Sequence, residues 1–126
     1  MKLLLDAHLV LWWLGNSRAL PGLARQLIGD AENTVFVSAV THWELWLKVS
    51  LGKLRLPADF AERLASESME HLPLTALHAR EVAELPWYHR DPFDRMLVAQ
   101  ARCEGLTLLT TDQDLANYGS PVRLLC

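Results

Sequence analysis

Short apolar runs alternate along the chain with longer segments whose apolar residues recur at helical spacing. The runs are leucine-rich, β-branched or aromatic, which predicts buried strands. The predicted strands are Lys2–Leu5, Thr34–Ser38, His71–Leu74, Leu106–Thr110 and Val122–Leu125. The predicted helices are His8–Leu14, Pro21–Asp30, Val40–Leu51, Ala58–Ser68, Ala76–Leu85, Pro92–Glu104 and Gln113–Asn117. Because strands alternate with helices, we expect a parallel sheet covered on both faces.

Two helices have clear boundary signals. Asp91 is a favoured N-cap and Pro92 suits the first helical position, while Gly105 ends that helix. Gly52 similarly ends the helix that begins near Val40. In the first helix, Trp12 and Trp13 are adjacent and cannot share one face, so this position predicts a subunit interface.

Four acidic residues stand where an alternating strand–helix fold could bring their side chains together. Asp6 and Asp112 each follow a predicted strand, and ligands of open parallel sheets bind beyond the carboxyl ends of the strands. Glu44 lies inside an almost wholly apolar helix, and Asp94 lies in the first turn of another. A buried carboxylate is costly without a positive partner. If the four converge, their oxygens suit Mg²⁺ and predict metal-assisted chemistry on phosphates.

Each acid also has a purely structural explanation. Asp6 and Asp112 could be helix N-caps, and Asp94 suits the positive end of its helix dipole. Glu44 could form an i,i+4 ion pair with Lys48. Two of these explanations are weak, because the Glu44 helix has little polar face and Asp91 already caps the helix of Asp94. The nearby Asp114 is expected to cap or solvate a short helix, with metal binding as the alternative.

Composition and charge change this picture only slightly. With 126 residues the chain is expected to form a single domain, residues 1–126, with a core that needs no disulfides. The net charge of −3 is not typical of a strongly basic nucleic-acid binder, but removing the four acids changes −3 to +1. Cys103 and Cys126 have no metal-ligand spacing, and we expect reduced thiols rather than a disulfide. No transmembrane run or signal peptide is predicted, so a cytoplasmic protein is expected.

The cationic and aromatic residues have two interpretations: they bind the substrate, or they form an ordinary solvated or packed surface. The cations that could hold phosphates, or simply form a solvated face, are Lys48, Lys53, Arg55, Arg90 and Arg95. The tryptophans that could stack on bases, but for which packing is the simpler explanation, are Trp43, Trp46 and Trp87. We assign these indoles no role in RNA binding at this point.

The motifs around the acids resemble those of PIN domains, and most of all the VapC-type toxins of bacterial toxin–antitoxin pairs. The matching segments are Asp6 after its strand, Ser38 before the helix of Glu44, Asp94–Ala101, Thr110–Asp112, Trp12–Trp13, Val49–Leu56 and His89–Arg95. The resemblance extends from Met1 to about Val122, with the motifs in family order. One residue departs from the pattern, because Ala7 stands where the family commonly has Thr or Ser.

The resemblance implies a three-layer α/β/α sandwich with a mostly parallel sheet and an endoribonuclease dependent on Mg²⁺ or Mn²⁺. It also implies a small antitoxin partner and a homodimer. Asp6, Glu44, Asp94 and Asp112 match the family's acidic quartet as metal ligands and catalytic residues, and Thr110 matches a hydroxyl residue beside the last acid. Ala7 puts the positioning of water in doubt, because a polar contact near the metal is missing.

Other functions remain open from the sequence. A metal-free ribonuclease would need an acid–base pair of histidines, for which His8 and His42 are the candidates beside packing roles. A PIN-like module that binds RNA or protein without cleavage is supported only by Ala7. Phosphoacceptor and haloacid-dehalogenase-like domains would carry a second acid near Asp6. This chain has Ala7 and His8 there, which disfavours both classes.

Overall fold

A five-stranded sheet lies at the centre of the protein. The computed structural model describes residues 1–125. Its strands are β1 (Lys2–Leu5), β2 (Thr34–Ser38), β3 (Glu70–Leu72), β4 (Thr107–Thr110) and β5 (Val122–Leu124). Their order in the sheet is β3-β2-β1-β4-β5, and all four neighbouring pairs are parallel. The expectation of a mostly parallel sheet is confirmed.

Helices cover both faces of this sheet. They are α1 (Ala7–Leu14), α2 (Gly22–Gly29), α3 (Ala39–Ser50), α4 (Phe60–Ser66), α5 (Ala76–Val82) and α6 (Pro92–Glu104), with a 3₁₀ helix at Leu115–Tyr118. Leu3 and Leu5 of β1 point into a core formed with α1, α2 and α4, whereas Leu4 points into a second core formed with α6 and the 3₁₀ helix. This alternation follows from the two-residue period of a strand. The protein is therefore the predicted three-layer α/β/α sandwich.

The central strands place two of the acids side by side. Leu5 of β1 is paired with Leu109 of β4, so the next residues, Asp6 and Thr110, lie side by side at the same edge of the sheet. Because the strands are parallel, their carboxyl ends meet at this edge, and α1 begins there at Ala7. The register thus brings Asp6 next to the segment that leads to Asp112.

Short elements differ from the sequence-based prediction. The short helix predicted at Gln113–Asn117 is present as a 3₁₀ helix, shifted to Leu115–Tyr118. The segment is too short for an apolar period to define its ends. Other short elements are trimmed by up to three residues, as in α5, which ends at Val82 rather than Leu85.

The two adjacent indoles of α1 both pack within the chain. Trp12 and Trp13 are half-buried against the first core, and Trp13 Nε1 donates a hydrogen bond to Glu67 Oε1. Each indole also keeps an exposed part, so the subunit interface expected at this position stays a prediction. Cys103 is a free thiol, and the expected reduced state of Cys126 lies outside the described residues.

Candidate metal centre

A threonine hydroxyl links the acids at the ends of β1 and β4. Thr110 Oγ1 donates to Asp6 Oδ2 at 2.6 Å and accepts the backbone N–H of Asp112 at 3.0 Å. The other oxygen of Asp6 accepts the Leu9 N–H at 2.9 Å, so Asp6 also caps α1. Both Asp6 oxygens therefore have an orienting donor even though Ala7 offers no hydroxyl. The Asp6 carboxylate therefore caps α1 and also takes part in the candidate metal site.

Glu44 is the acid with a buried carboxylate oxygen that has no hydrogen-bond partner among the described residues. It lies on α3 with 5% of its surface exposed. Oε2 accepts Lys48 Nζ at 2.7 Å, which confirms the predicted i,i+4 pair. Within residues 1–125, Oε1 is buried and has no hydrogen-bond partner. A buried carboxylate oxygen left unpaired costs free energy, so Glu44 fits a site that a cation completes.

Asp94 is held close to other negative charges in the first turn of α6. Burial and, after it, the charges of Asp91, Glu44 and Asp6 together raise its pKa from 3.8 to about 7, although the charge of His89 opposes them. Such a rise is expected when carboxylates share a poorly solvated site.

Asp6 shows the same effect at the end of β1. Burial raises its pKa, and the charge of Asp112 adds to the rise, although the hydrogen bond from Thr110 opposes it. The charges of Glu44 and Asp6 thus act on the pKa of Asp94, and the charge of Asp112 acts on the pKa of Asp6. The four predicted acids therefore lie close enough together for their charges to interact.

His89 joins this neighbourhood from the segment between α5 and α6. Its Nε2 lies 2.8 Å from Asp112 Oδ2 and 3.5 Å from Asp94 Oδ2. Its Nδ1 accepts the backbone N–H of Asp91 at 3.0 Å. An accepting Nδ1 carries no proton, so in the neutral ring the proton is on Nε2 and is donated to Asp112.

This tautomer decides what His89 can do. His89, Asp112 and the exposed Asp114 place one ligand atom each within 4.8 Å of one another, which is a metal-binding distance pattern. However, a ligating histidine normally donates its other ring N–H, whereas here Nδ1 accepts. We therefore interpret His89 as a donor that orients Asp112. Although burial opposes it, contact with Asp112 and the nearby charges of Asp94 and Asp91 raise the pKa of His89.

The residues present fit a divalent cation. The four acids offer only carboxylate oxygens, which hard cations such as Mg²⁺ and Mn²⁺ accept as ligands. The unpartnered Oε1 of Glu44 and the crowded negative charges that raise the pKa of Asp94 would both be stabilised by a bound cation. Lys48 neutralises only one oxygen of Glu44 and is partly exposed.

The predicted substrate-binding cations divide into two groups. Lys53, Arg55 and Arg90 are exposed, as a phosphate contact requires. Arg95 is not, because only 3% of its surface is exposed and its guanidinium is bonded to protein oxygens. The prediction that Arg95 contacts phosphate is wrong.

The histidines named for a metal-free mechanism do not form an acid–base pair at the acids. His8 is exposed on α1, and His42 packs against His71 with ring centroids 5.5 Å apart. Burial lowers the pKa of His42, and His71 lowers it further. Within the described part of the chain, His89 is the imidazole that contacts the acids, and sequence reasoning gave it no partner. Its sequence signals are its place two residues before the N-cap Asp91 and the resemblance of His89–Arg95 to the family's motifs.

Comparison with known proteins agrees with this geometry. The family model described as PIN domain matches residues 3–121. Ribonuclease VapC22 of Mycobacterium tuberculosis is 31% identical over 122 residues, covering 94% of this chain and 92% of that protein. Within residues 1–125, no helix is long and apolar enough to cross a membrane.

Solved structures support the same assignment. VapBC2 from Rickettsia felis, bound to a promoter DNA fragment, superposes with a TM-score of 0.73 at 14% identity, covering 100% of both chains. VapBC-5 from Mycobacterium tuberculosis gives a TM-score of 0.62 at 25% identity, covering 98% of this chain and 97% of the other. The chain therefore belongs to the PIN-domain family and, within it, to the VapC group.

Proposed function

We propose that this protein is a divalent-metal-dependent endoribonuclease and the toxin of a toxin–antitoxin pair. Membership of the PIN family and the similarity to a protein named Ribonuclease VapC22 support RNA as the substrate. The observation that carries the metal dependence is the buried, unpartnered Oε1 of Glu44, supported by the raised pKa values of Asp6 and Asp94. Mg²⁺ is the expected ion, and Mn²⁺ should substitute for it.

The four acids would divide the work by position. Asp6 and Asp94 are the main candidate ligands, because burial makes an anion costly at each of them. When bound, a divalent cation supplies positive charge to the phosphoryl oxygens and makes water a better nucleophile. Glu44 and Asp112 would orient the attacking water or a second ion, opposite the sugar oxygen that leaves the phosphate. His89 would keep Asp112 in place through its Nε2 proton.

Partners follow from the relatives rather than from this chain's own contacts. Similar structures include a toxin–antitoxin complex from Klebsiella pneumoniae and VapBC-5 from Mycobacterium tuberculosis, a member of the VapBC family of toxin–antitoxin systems. We therefore propose a small cognate antitoxin, a homodimeric toxin and a cytoplasmic location. A short reading frame beside this gene should encode the antitoxin, and co-expression should yield a stable complex in which RNA cleavage is suppressed.

The direct test is RNA cleavage by the purified protein. Wild-type protein should cleave a mixed RNA substrate in Mg²⁺ or Mn²⁺, and EDTA should abolish cleavage until metal is restored. Asp94→Asn should lose activity at least about 100-fold, because it removes a proposed ligand. Asp59→Asn is the matched control, since Asp59 is exposed and its side chain makes no capping bond.

The outcomes separate this function from its alternative. Cleavage that persists in EDTA would reject the metal mechanism. Equal cleavage by Asp94→Asn and wild type would indicate a contaminating nuclease. Metal-independent RNA binding with no cleavage in either ion would favour the non-catalytic binding module.

A further inference from the structure

Arg95 is a buried cation that organises the segment between α5 and α6. Nη1 donates to Pro86 O at 2.8 Å and to the Tyr118 hydroxyl at 3.0 Å, and Nη2 donates to Val82 O at 3.2 Å and to Leu85 O at 3.4 Å. Tyr118 in turn donates to Pro86 O at 2.7 Å. The guanidinium therefore fixes the backbone where α5 ends and the segment toward His89 begins.

Trp87 lies directly on this fixed guanidinium. Arg95 Cζ is 3.8 Å from the centroid of the Trp87 ring, a cation–π contact. Yet 76% of Trp87 is exposed, more than for any other tryptophan of the chain. One face of the indole is thus held by a cation while much of the ring remains open to solvent. An aromatic ring with an open face can stack on a nucleic-acid base.

The segment that carries the exposed indole also carries His89. Trp87 precedes His89 by two residues, so their Cα atoms are at most about 7 Å apart. His89 itself contacts Asp112 and Asp94. From this short backbone separation we expect a base next to a phosphate at the acids to reach Trp87.

We propose that Trp87, backed by Arg95, is a stacking site for a base of single-stranded RNA next to the phosphate that is cleaved. The proposal deepens the proposed ribonuclease function and rests on it. A flat ring supported on one face suits a base, and stacking accepts any of the four bases. The neighbours Tyr88, His89 and Arg90 carry polar or charged groups, which suits a nucleic acid better than an apolar protein anchor.

The test measures RNA binding without cleavage, in the Asp94→Asn background and in EDTA. The probe is a short fluorescein-labelled oligoribonucleotide of randomised sequence, followed by fluorescence anisotropy. Trp87→Ala should weaken binding by about 5- to 150-fold, the range found for loss of one stacked base. Trp87→Phe should retain most of the affinity, because it keeps a stacking ring. Trp46→Ala is the matched control, since Trp46 is 43% exposed on α3 and packs edge-on against Phe60.

Two further readouts separate stacking from general damage. The Trp87→Ala effect should disappear on an abasic ribose–phosphate probe of equal length, because only bases stack. The slope of affinity against salt should stay the same, because an indole neutralises no phosphate. Equal weakening on both probes, or unchanged affinity for the base-containing probe, would overturn the proposal. Unchanged RNA affinity with weakened antitoxin binding would likewise overturn it and assign Trp87 to the protein partner.

The test also distinguishes this proposal from the proposed function. If wild-type protein cleaves RNA and Trp87→Ala binds RNA normally, the stacking site is wrong and the nuclease stands. If no metal supports cleavage but base-dependent binding still requires Trp87, the nuclease is wrong and the stacking site stands as part of a binding module.

Discussion

Replacing Asp94 by asparagine should stabilise the metal-free protein at neutral pH. Burial and the charges of Asp91 and Glu44 raise the pKa of Asp94 from 3.8 to about 7. The folded protein therefore binds a proton at Asp94 more tightly than the unfolded chain does. This contribution to stability is fully present below pH 3.8 and is lost as pH rises through about 7. Asparagine resembles the protonated acid and avoids that loss.

The pKa rise sets the size of the effect. A change from 3.8 to about 7 corresponds to about 4 kcal/mol at about 1.4 kcal/mol per pH unit. About a fifth of the side chain is exposed, with 21% relative accessibility, so solvent screening reduces this value. We expect Asp94→Asn to increase the free energy of unfolding by about 2 kcal/mol at pH 8 in EDTA, with little difference near pH 4.

Urea unfolding between pH 4 and 8, followed by tryptophan fluorescence, measures this difference. Excess Mn²⁺ should reverse the order at pH 8, because an ion at 100 times its Kd stabilises the wild type by about 2.7 kcal/mol. Asp59→Asn controls for the amide substitution, since Asp59 is exposed. If Asp94→Asn is less stable than wild type at pH 8 in EDTA, the carboxylate is not a destabilising charge and the reasoning is refuted.

Two further predictions concern the residues that orient the acids. In calorimetry, His89→Leu should weaken Mn²⁺ binding by about 10- to 100-fold, because Asp112 loses its hydrogen-bond donor. His89→Gln should retain much of the affinity. His78→Leu is the control: it removes a similar imidazole–carboxylate pair with Glu104 and should leave Mn²⁺ binding unchanged. ¹⁴N coupling from His89 to bound Mn²⁺ would show direct ligation and contradict the donor role. Thr110→Val should lower the free energy of unfolding by about 1–3 kcal/mol, because the Asp112 N–H loses its acceptor and Asp6 loses a donor. Thr110→Ser should restore most of that loss in urea titrations, and equal stability of Val and Ser variants would count against the hydroxyl bridge.

The sequence predicts the bounds of several helices and strands well, because the signals that define them are local. Strands β1 and β2 match their predicted bounds, since each is a short apolar or β-branched run. Helix α6 matches as well, because Asp91 caps two backbone N–H groups and Gly105 adopts a left-handed conformation with φ of 66°. The short 3₁₀ helix at Leu115–Tyr118 is shifted by one or two residues from its predicted bounds, because four residues are too few for an apolar period to define its ends.

The acids could be found from sequence because topology alone places them. Asp6 and Asp112 follow neighbouring strands, and Glu44 stands out on an apolar helix. The roles of His89 and Arg95 could not be found in this way. His89 contacts Asp112, which lies 23 residues away in the sequence. Arg95 donates to backbone carbonyl groups, and no local sequence pattern predicts such contacts.

Titration with Mn²⁺, with free ion measured by electron paramagnetic resonance, tests most directly whether the four carboxylates form one metal site. Wild-type protein should bind the ion, and each single variant should bind it at least about tenfold more weakly. The variants are Asp6→Asn, Glu44→Gln, Asp94→Asn and Asp112→Asn. Wild-type affinity in both Glu44→Gln and Asp94→Asn would show that these oxygens do not share an ion, and the account of the centre would be wrong.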